Sequence, residues 1–219
     1  MDAEQLLEGV DLFAQLEPAE LAAIVARAER RKLQRGDVLF SEGDESEELF
    51  VVEDGRVAIA NRSVDGRESV IALMEGGDPF GEMGLFEDHG RSAEARALEP
   101  STVWAIPYAP LQDLYEQRPT LLWGVVVLLA ARLRSMDGAL ADSVFLDVTG
   151  RTAKRLLELA GDDDEFVLPV TQEELAGMVG ASRERVNKAI AAFVRLGWID
   201  QSDRRYRITN RQQLTIRAR

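Results

Sequence analysis

The chain contains no cysteine among its 219 residues and one histidine, His89. Without cysteine it can form no disulfide, iron–sulfur cluster or thiolate-based redox sensor. A lone histidine argues against a zinc or haem site built from protein ligands, because such sites need several donors. The histidine lies in the polar run EDHGRS, which predicts a solvent-exposed loop. We therefore expect no metal site.

Long apolar runs are also lacking. The longest, Leu121 to Ala131, has 11 residues, fewer than the roughly 20 that a membrane-spanning helix needs. The N-terminal segment MDAEQLLEGVDLFAQL is acidic and amphipathic, unlike a secretory signal. The chain shows no nucleophile–base motif, no triphosphate-binding loop and no paired-carboxylate signature. These absences predict a cytoplasmic protein that is not an enzyme.

Charge is distributed unevenly along the chain, whose net charge is −13. Residues 1–150 hold 13 basic and 29 acidic side chains, whereas residues 182–219 hold 10 basic and 3 acidic ones. The acidic majority argues against a general polyanion binder, but the basic C-terminal part is suited to phosphate contacts. The length favours two domains over one.

Residues 171–194, TQEELAGMVGASRERVNKAIAAFV, have the pattern of two short helices joined by a turn. Thr171 and Glu174 predict a capping box at the first helix, and Ser182 can cap the second. Gly180 suits a tight turn between them because it tolerates positive φ. Such a helix-turn-helix places its second helix in the major groove of DNA. An ordinary amphipathic helix pair with solvated charges is the alternative.

Apolar and polar side chains separate on these helices. The predicted inner faces comprise Leu175, Val179, Val186, Ala189, Ile190, Phe193 and Val194. The residues predicted to face outward are Arg183, Glu184, Arg185, Asn187 and Lys188. Arginine and lysine can donate to guanine and glutamate can accept from cytosine N4. The candidate base contacts are therefore Arg183, Glu184 and Lys188, and Arg185 is a candidate phosphate contact.

The next segment, QSDRRYRIT, predicts a turn and a short strand, which would form a wing. Its arginines, Arg204, Arg205 and Arg207, are candidate phosphate contacts that position DNA without specifying its sequence. Three polar residues of the helix-turn-helix complete the candidate DNA-binding set: Thr171, Ser182 and Asn187.

The N-terminal half begins with a predicted helix from Pro18 to about Arg31 and continues in brief strand-like runs. In chain order these runs are DVLF, ELFVV, RVAIA, SVIAL, RSAEARAL and TVWAI. Two Asp-Gly pairs, Asp54-Gly55 and Asp65-Gly66, predict hairpins between such runs. Many short strands with regular turns predict a small antiparallel barrel or sandwich.

A candidate anion site lies at residues 79–97, PFGEMGLFEDHGRSAEARA. Gly81 permits close backbone approach, and the following residues are sufficient for one helical turn whose N–H groups could face an anion. Arg91 and Ser92 offer a guanidinium and a hydroxyl to a phosphodiester. Glu82 can accept from a sugar hydroxyl. A glycine-rich turn with a surface arginine is the alternative.

Residues 120–144 predict a long helix with a heptad pattern. Alternating steps of four and three connect an apolar stripe with one polar end, Leu122, Val126, Leu129, Leu133, Met136, Leu140 and Ser143. This stripe, hereafter the α4 stripe, predicts a coiled coil between two subunits. A single amphipathic helix buried within its own chain is the alternative.

Together, RGDVLFSEGD, FGEMGLF…RSA, FLDVTGR at 145–151 and the helix-turn-helix resemble the cyclic-AMP receptor protein/FNR family of bacterial transcription regulators over essentially the full length. The resemblance implies an α+β fold: an N-terminal antiparallel β-roll of the cyclic-nucleotide-binding type, a long dimerisation helix and a C-terminal winged helix-turn-helix. The implied domains span 1–118, 119–146 and 147–219. The implied assembly is a homodimer that binds one cyclic nucleotide per subunit, cAMP first, and a two-fold-symmetric site in double-stranded DNA; RNA polymerase is a further candidate partner.

The resemblance also assigns residues. Positions that match the family's phosphate-and-ribose contacts are Gly81, Glu82, Arg91 and Ser92, and the neighbouring Met83 and Ala93 are placed in the same pocket. Positions that match its base contacts are Arg183, Glu184 and Lys188, which implies a TGTGA-type half-site. Ligand binding is expected to move the hinge at Phe145–Asp147 and to set the recognition helices about 34 Å apart.

One departure concerns the effector. Where cAMP-responsive relatives carry a hydroxyl pair, this chain has Met136 and Asp137. Met136 could pack on a purine and Asp137 could accept from an exocyclic amine; alternatively, Met136 belongs to the coiled coil and Asp137 faces solvent. Cyclic GMP, another nucleotide and DNA binding without any ligand therefore remain open. A cyclic-nucleotide-binding module of a kinase or channel is the alternative of another class, but it would not need the basic C-terminal part.

Overall fold

The computed structural model describes residues 2–62, 68–87 and 89–219. The chain divides into two compact units. The first comprises Met1–Asn61 and Ile71–Arg134, and the second is formed mainly by Ser135–Arg219. The domain boundaries expected from the resemblance stay a prediction.

The first unit contains two four-stranded antiparallel sheets, with strand orders β1-β8-β3-β6 and β2-β7-β4-β5. Its elements in chain order are α1 (Ala3–Glu8), α2 (Pro18–Val25), β1 (Glu29–Leu33), β2 (Val38–Phe40), β3 (Glu48–Asp54), β4 (Val57–Arg62), β5 (Glu68–Met74), β6 (Pro79–Phe80), β7 (Glu94–Ala97), β8 (Ser101–Pro107) and α3 (Tyr108–Gln117). Apolar side chains from both sheets form one core, in which the rings of Phe50 and Phe80 stack with centroids 5.3 Å apart. A second core joins the helices to strands β3 and β8 and includes Leu7, Ile24 and Leu111. The predicted antiparallel roll is confirmed.

Two predictions for this unit are wrong. The first helix ends at Val25, and Glu29–Leu33 forms strand β1 instead, paired with β8. Its charged residues do not alternate with apolar ones; they pair with neighbours, as Arg30 does with Glu53 at 2.7 Å. The sequence of this strand therefore lacks the period-2 pattern that indicates a half-buried strand.

Asp54-Gly55 does not close a hairpin, because β3 and β4 lie in different sheets. Gly55 has φ +86°, and a Cβ there would lie 2.7 Å from both the Pro100 oxygen and the Ser101 Cα. The Asp-Gly pair thus turns the chain from one sheet to the other against a neighbouring loop. The second pair, Asp65-Gly66, lies outside the described residues.

Helix α4 (Leu122–Phe145) follows a 3₁₀ turn at Pro119–Leu121 and continues from the first unit into the second. The α4 stripe is largely exposed: its five central residues, Val126, Leu129, Leu133, Met136 and Leu140, are 44 to 65% accessible. The alternative interpretation, in which the rest of the same chain buries this face of α4, is therefore wrong for the α4 stripe.

The helical segment Pro119–Phe145 has 27 residues and a mean hydropathy of 1.3 in its most apolar window, so it could cross a membrane by length and composition alone. From the uninterrupted apolar run of 11 residues we expected no helix long enough to span a membrane. By helix length and mean hydropathy this expectation is wrong. The helix continues past that run through four charged residues, Arg132, Arg134, Asp137 and Asp142. Its heptad spacing favours a protein partner over lipid.

The second unit packs helices around a three-stranded sheet of order β10-β11-β9. Its elements are α5 (Val148–Ala160), β9 (Glu165–Val167), α6 (Gln172–Val179), α7 (Arg183–Arg195), β10 (Ile199–Ser202), β11 (Arg205–Ile208) and α8 (Arg211–Arg217). The predicted helix pair and wing are present, and α8 was not predicted. Val194 is an error in the predicted inner face, since it is 41% exposed whereas Phe193 is buried. Phe193 takes the core-facing position at this end of α7, and Val194, which points about 100° further round the helix, lies toward solvent.

Candidate functional site

The loop after β6 begins at Gly81, which has φ +73°. The predicted helical turn is a 3₁₀ turn, Met83–Leu85. A Cβ at Gly81 would lie 2.7 Å from Nη1 of Arg91 and 3.3 Å from the Phe50 ring. Glycine is therefore required here both for its backbone conformation and for the room that the arginine needs.

The Arg91 side chain is buried and fixed. Its guanidinium donates to the carbonyl oxygens of Gly81 (3.0 Å) and Glu48 (2.8 Å) and to the Tyr108 hydroxyl (3.1 Å). It lies over the Phe40 ring, 4.2 Å from the centroid. Its Nε is buried and has no hydrogen-bond partner among the described residues. The result is a positively charged group held in place, with one buried donor that has no partner among the described residues.

Glu82 is completely buried. Its Oε1 accepts from Nη1 of Arg132 at 2.5 Å, and Arg132 also donates to the Pro79 oxygen at 2.7 Å. The second carboxylate oxygen, Oε2, has no partner among the described residues. Arg132 connects α4 to this loop and was missed from the sequence, where it is only one of two arginines in an apolar helix.

The remaining predicted pocket residues differ in placement. Ala93 is buried, whereas Met83 is 45% exposed. The exposed Ser92 donates its hydroxyl to the Met83 sulfur at 3.6 Å. Met136 and Asp137 are exposed and lie in the second unit, so their assignment to the pocket stays a prediction. His89 is exposed, as predicted.

The helix-turn-helix has the predicted caps. The Thr171 hydroxyl accepts from the Glu174 N–H at 3.1 Å, and the Glu174 carboxylate accepts from the Thr171 N–H at 2.6 Å. Gly180 has φ +67° at the end of α6, and the Ser182 hydroxyl accepts from the Arg185 N–H at 3.4 Å. These local contacts fix where the second helix begins.

The outer face of α7 is exposed at every predicted position, Arg183, Glu184, Arg185, Asn187 and Lys188. Glu184 and Lys188 are one turn apart and form an ion pair at 2.7 Å. The lysine hydrogen bond lowers the pKa of the Glu184 carboxyl. Both side chains are about three-quarters exposed, so they can exchange this contact for another at little cost in desolvation.

The three wing arginines are not equivalent. Arg204 donates twice to the Leu168 oxygen, at 3.2 and 2.8 Å. Arg207 pairs with Glu165 at 3.2 Å and lies opposite Asp200 in the sheet. Arg205 is exposed and has no hydrogen-bond or ion-pair partner within the described part of the chain. The sequence treats these arginines alike, and only the sheet register separates them.

Helix α5 connects the hinge with the helix-turn-helix. Arg151 donates to the Leu146 oxygen (2.7 Å) and to the Val179 oxygen at the end of α6 (2.8 Å). Asp147 caps α5 by accepting from the Gly150 N–H at 2.8 Å and also pairs with Arg217 of α8. Sequence reasoning missed the contacts of Arg151 with Val179 and of Arg217 with Asp147, because the partners lie 28 and 70 residues apart along the chain.

This fold and these sites define a two-part regulator, in which a β-roll that buries the polar side chains of Glu82 and Arg91 is followed by a winged helix-turn-helix. Residues 30–118 match the cyclic nucleotide-binding domain family and residues 150–216 match the Crp-like helix-turn-helix domain family. The chain is 35% identical to the CRP-like cAMP-activated global transcriptional regulator of Mycobacterium tuberculosis, over 99% of this chain and 100% of that protein. It is also 35% identical to the cAMP-activated global transcriptional regulator Vfr of Pseudomonas aeruginosa, over 82% of this chain and 88% of that protein.

Solved structures of related regulators have the same fold. The c-di-GMP-responsive global regulator CLP of Xanthomonas campestris matches with 27% identity and a TM-score of 0.76, over 88% of this chain and 99% of that one. FixK2 of Bradyrhizobium japonicum shares the fold, with a TM-score of 0.78 at 20% identity, over 86% of this chain and 96% of that one. The chain belongs to the CRP/FNR family, whose members are transcription regulators and not enzymes.

Proposed function

We propose that the protein is a homodimeric, cytoplasmic transcription regulator that binds its DNA site under the control of a cyclic nucleotide, with cAMP as the leading effector. One observation carries the effector proposal. Arg91 Nε and Glu82 Oε2 are buried polar atoms without partners among the described residues. Of the five such atoms in the described residues, these two are the ones on charged groups. A buried charged group with an unpartnered atom is rare and costly, which supports a ligand at this pair.

The chemistry of this pair fits a cyclic nucleotide. A fixed guanidinium suits an anionic phosphodiester, and a carboxylate oxygen accepts from a ribose hydroxyl. Gly81 and Ser92, with the neighbouring Met83 and Ala93, complete the proposed phosphate-and-ribose pocket. Relatives at 35% identity are named as cAMP-activated, which favours cAMP over cyclic GMP.

Base recognition is proposed for Met136 and Asp137 on the sequence match alone. A different nucleotide controls the related regulator CLP, which is c-di-GMP-responsive. Cyclic GMP and c-di-GMP are therefore the comparisons that a binding test needs.

The dimer proposal rests on the exposed α4 stripe. Five apolar side chains at heptad spacing are 44 to 65% accessible in the single chain, and apolar surface of this kind usually marks a protein interface. A second α4 would cover it in a parallel coiled coil. We propose one cyclic nucleotide per subunit, because the match to the cyclic nucleotide-binding domain family covers one segment, residues 30–118.

For DNA we propose Arg183, Glu184 and Lys188 as base contacts and a TGTGA-type half-site with its inverse. The Glu184–Lys188 ion pair would open on DNA, so that glutamate accepts from cytosine and lysine donates to guanine. The proposed phosphate contacts are Arg185 and Arg205, with Thr171, Ser182 and Asn187 at the same surface. Arg204 stays in the proposed set, but its contact with Leu168 gives it a structural role as well. RNA polymerase is a further proposed partner.

The proposed switch uses the contact between Glu82 and Arg132 of α4 and the contacts of Arg151 just after α4. Nucleotide bound at Glu82 changes the surroundings of Arg132, and hence favours one arrangement of α4. The hinge at Phe145–Asp147 follows α4, and Arg151 joins the Leu146 oxygen to the end of α6. Ligand can drive this change only through a difference in its affinity for the two states.

Isothermal titration of the purified protein with cAMP, cyclic GMP and c-di-GMP tests the effector proposal. Micromolar or tighter binding of cAMP, with much weaker binding of the other two, is the expected result. If only c-di-GMP binds, the effector is c-di-GMP and not cAMP. If none of the three binds, the pocket assignment is contradicted. Arg91→Ala should lose this binding. Its charge-matched control is Arg27→Ala, which removes an exposed arginine outside the proposed pocket and should bind as wild type does.

A further inference from the structure

Tyr108, the first residue of α3, places its hydroxyl among three polar groups of the first unit. It contacts the Ser46 hydroxyl at 2.7 Å, Nη1 of Arg91 at 3.1 Å and, at a shorter distance, the Gly81 oxygen. A phenol has one hydrogen to donate. The carbonyl of Gly81 can only accept, so that hydrogen goes to it. Arg91 and Ser46 must therefore both donate to the phenolic oxygen.

This arrangement fixes the direction of the Arg91 guanidinium. The Gly81 oxygen accepts from Arg91 and from Tyr108, so the three groups form a closed hydrogen-bonded ring. Tyr108 is 5% exposed, and burial raises its pKa above the ordinary value. The hydroxyl thus keeps its hydrogen at neutral pH, and the ring stays intact.

The backbone leaves room for this ring. A Cβ at Gly84 would lie 2.1 Å from the Ser46 oxygen and 3.1 Å from the Tyr108 oxygen. Only the absence of a side chain at Gly84 lets the Ser46–Tyr108 contact lie against the 3₁₀ turn of the pocket. The hydroxyl therefore connects α3, the loop before β3 and the anion-site loop at one point.

We propose that Tyr108 is a positioning residue for the effector's phosphate: it aims the Arg91 guanidinium without touching the ligand. This inference rests on the proposed function of the pocket. Tyr108 does not belong to the sequence-predicted set, because its distance of 17 residues from Arg91 follows from the fold and not from a local motif.

Tyr115 in the same helix is a natural control. Its ring is also buried, and it stacks on Phe86 with centroids 6.0 Å apart. Its hydroxyl has no hydrogen-bond partner among the described residues, and burial raises its pKa to about 12. Removing this hydroxyl deletes the same atom from the same helix without disturbing Arg91.

The test compares wild type, Tyr108→Phe and Tyr115→Phe by titration with cAMP and with the Rp and Sp diastereomers of its phosphorothioate. These diastereomers place sulfur at different phosphate oxygens, so the ratio of their affinities reports on guanidinium–phosphate geometry. Tyr108→Phe should weaken cAMP binding about 5- to 20-fold. This is less than the full effect of a lost hydrogen bond to a charged group, because Arg91 keeps its contacts with the Gly81 and Glu48 oxygens. The substitution should also bring the diastereomer ratio closer to one. Tyr115→Phe should leave both quantities within about twofold of wild type.

Equal cAMP affinity and an equal diastereomer ratio in Tyr108→Phe would overturn the inference. So would a uniform loss for both diastereomers with a lower Tm, since that is the result of a structural defect alone. If Tyr108→Phe does not fold, Ser46→Ala removes one donor from the same hydroxyl and should change the ratio in the same direction. A wild-type protein that binds no cyclic nucleotide would contradict the proposed function instead, which separates the two failures.

Discussion

The two proposed binding surfaces are built in opposite ways. In the β-roll, Arg91 and Glu82 are buried. Three hydrogen bonds hold Arg91 and an ion pair with Arg132 holds Glu82, with one atom of each side chain unpartnered in the described structure. On α7, Glu184 and Lys188 are about three-quarters exposed and pair with each other. A buried, fixed site depends strongly on every member, whereas an exposed surface divides its binding among many weak contacts. The pocket should therefore be the more sensitive of the two to single substitutions.

The largest effect is expected from Arg91→Ala. It removes the only buried guanidinium described in the pocket and leaves the carbonyl oxygens of Gly81 and Glu48 without that donor. We expect cAMP affinity to fall at least about 100-fold, because a charge-assisted contact and its supporting bonds are lost together. Calorimetry measures the affinity, and circular dichroism checks that the fold is intact. Unchanged affinity would refute the pocket assignment.

The dimer proposal is next in expected effect. Leu129→Asp places a charge on the α4 stripe of each subunit, and apposed carboxylates at a coiled-coil core position should produce monomers in light scattering. Ala131→Asp is the control, because Ala131 is exposed on the same helix but lies outside the stripe. A stable Leu129→Asp dimer would place the interface elsewhere.

The base-contact proposal predicts a sequence-specific loss. Glu184→Ala should reduce discrimination at one G·C pair by about 10- to 100-fold, since a lost base contact affects that position alone. Fluorescence anisotropy on a set of single-base operator variants measures it. Equal weakening on every sequence would instead assign Glu184 a general role.

The wing offers a finer comparison between two neighbouring arginines of β11. Arg205→Ala should weaken binding to all sequences and reduce the slope of log K against log salt by about one, the result of losing one phosphate contact. Arg207→Ala should change the slope less, because Arg207 already pairs with Glu165. Equal slopes for both variants would mean that the ion pair does not persist near DNA.

The smallest effect concerns the hinge. The Gly150 N–H and then Arg217 lower the pKa of the Asp147 carboxyl. A lowered pKa stabilises the fold above the unfolded value of about 3.9, and this stabilisation is lost as pH falls through the lower folded-state pKa. Asp147→Asn should therefore reduce Tm by about 2–4 °C at most at pH 7, as for an exposed ion pair. Thermal melts should show the difference shrinking as pH falls below the unfolded pKa of about 3.9, and a difference that stays constant with pH would exclude an ionic cause.

Local features were predicted well from the sequence. The Thr171–Glu174 capping box and the turn at Gly180 depend only on neighbouring residues, and the structure confirms them. One helical turn after Gly81 was predicted for the same reason, and the structure forms it as a 3₁₀ turn.

Features that depend on distant partners were not predictable in this way. Strand β1 is recognised only by its pairing with β8, and Asp54-Gly55 connects two sheets although its composition indicates a hairpin. Arg132 and Tyr108 reach the pocket from elements 50 and 27 residues away from their partners there. Such contacts are set by the packing of the roll, which no local pattern encodes.

The central claim is that nucleotide controls DNA binding. The most direct test measures anisotropy of a labelled TGTGA palindrome with the purified protein, with and without saturating cAMP, at one fixed salt concentration. We expect cAMP to tighten operator binding at least about 10-fold, a coupling within the usual allosteric range, and Arg91→Ala to bind weakly in both conditions. Equal operator affinity with and without cAMP, in wild-type protein that binds the nucleotide, would contradict the account.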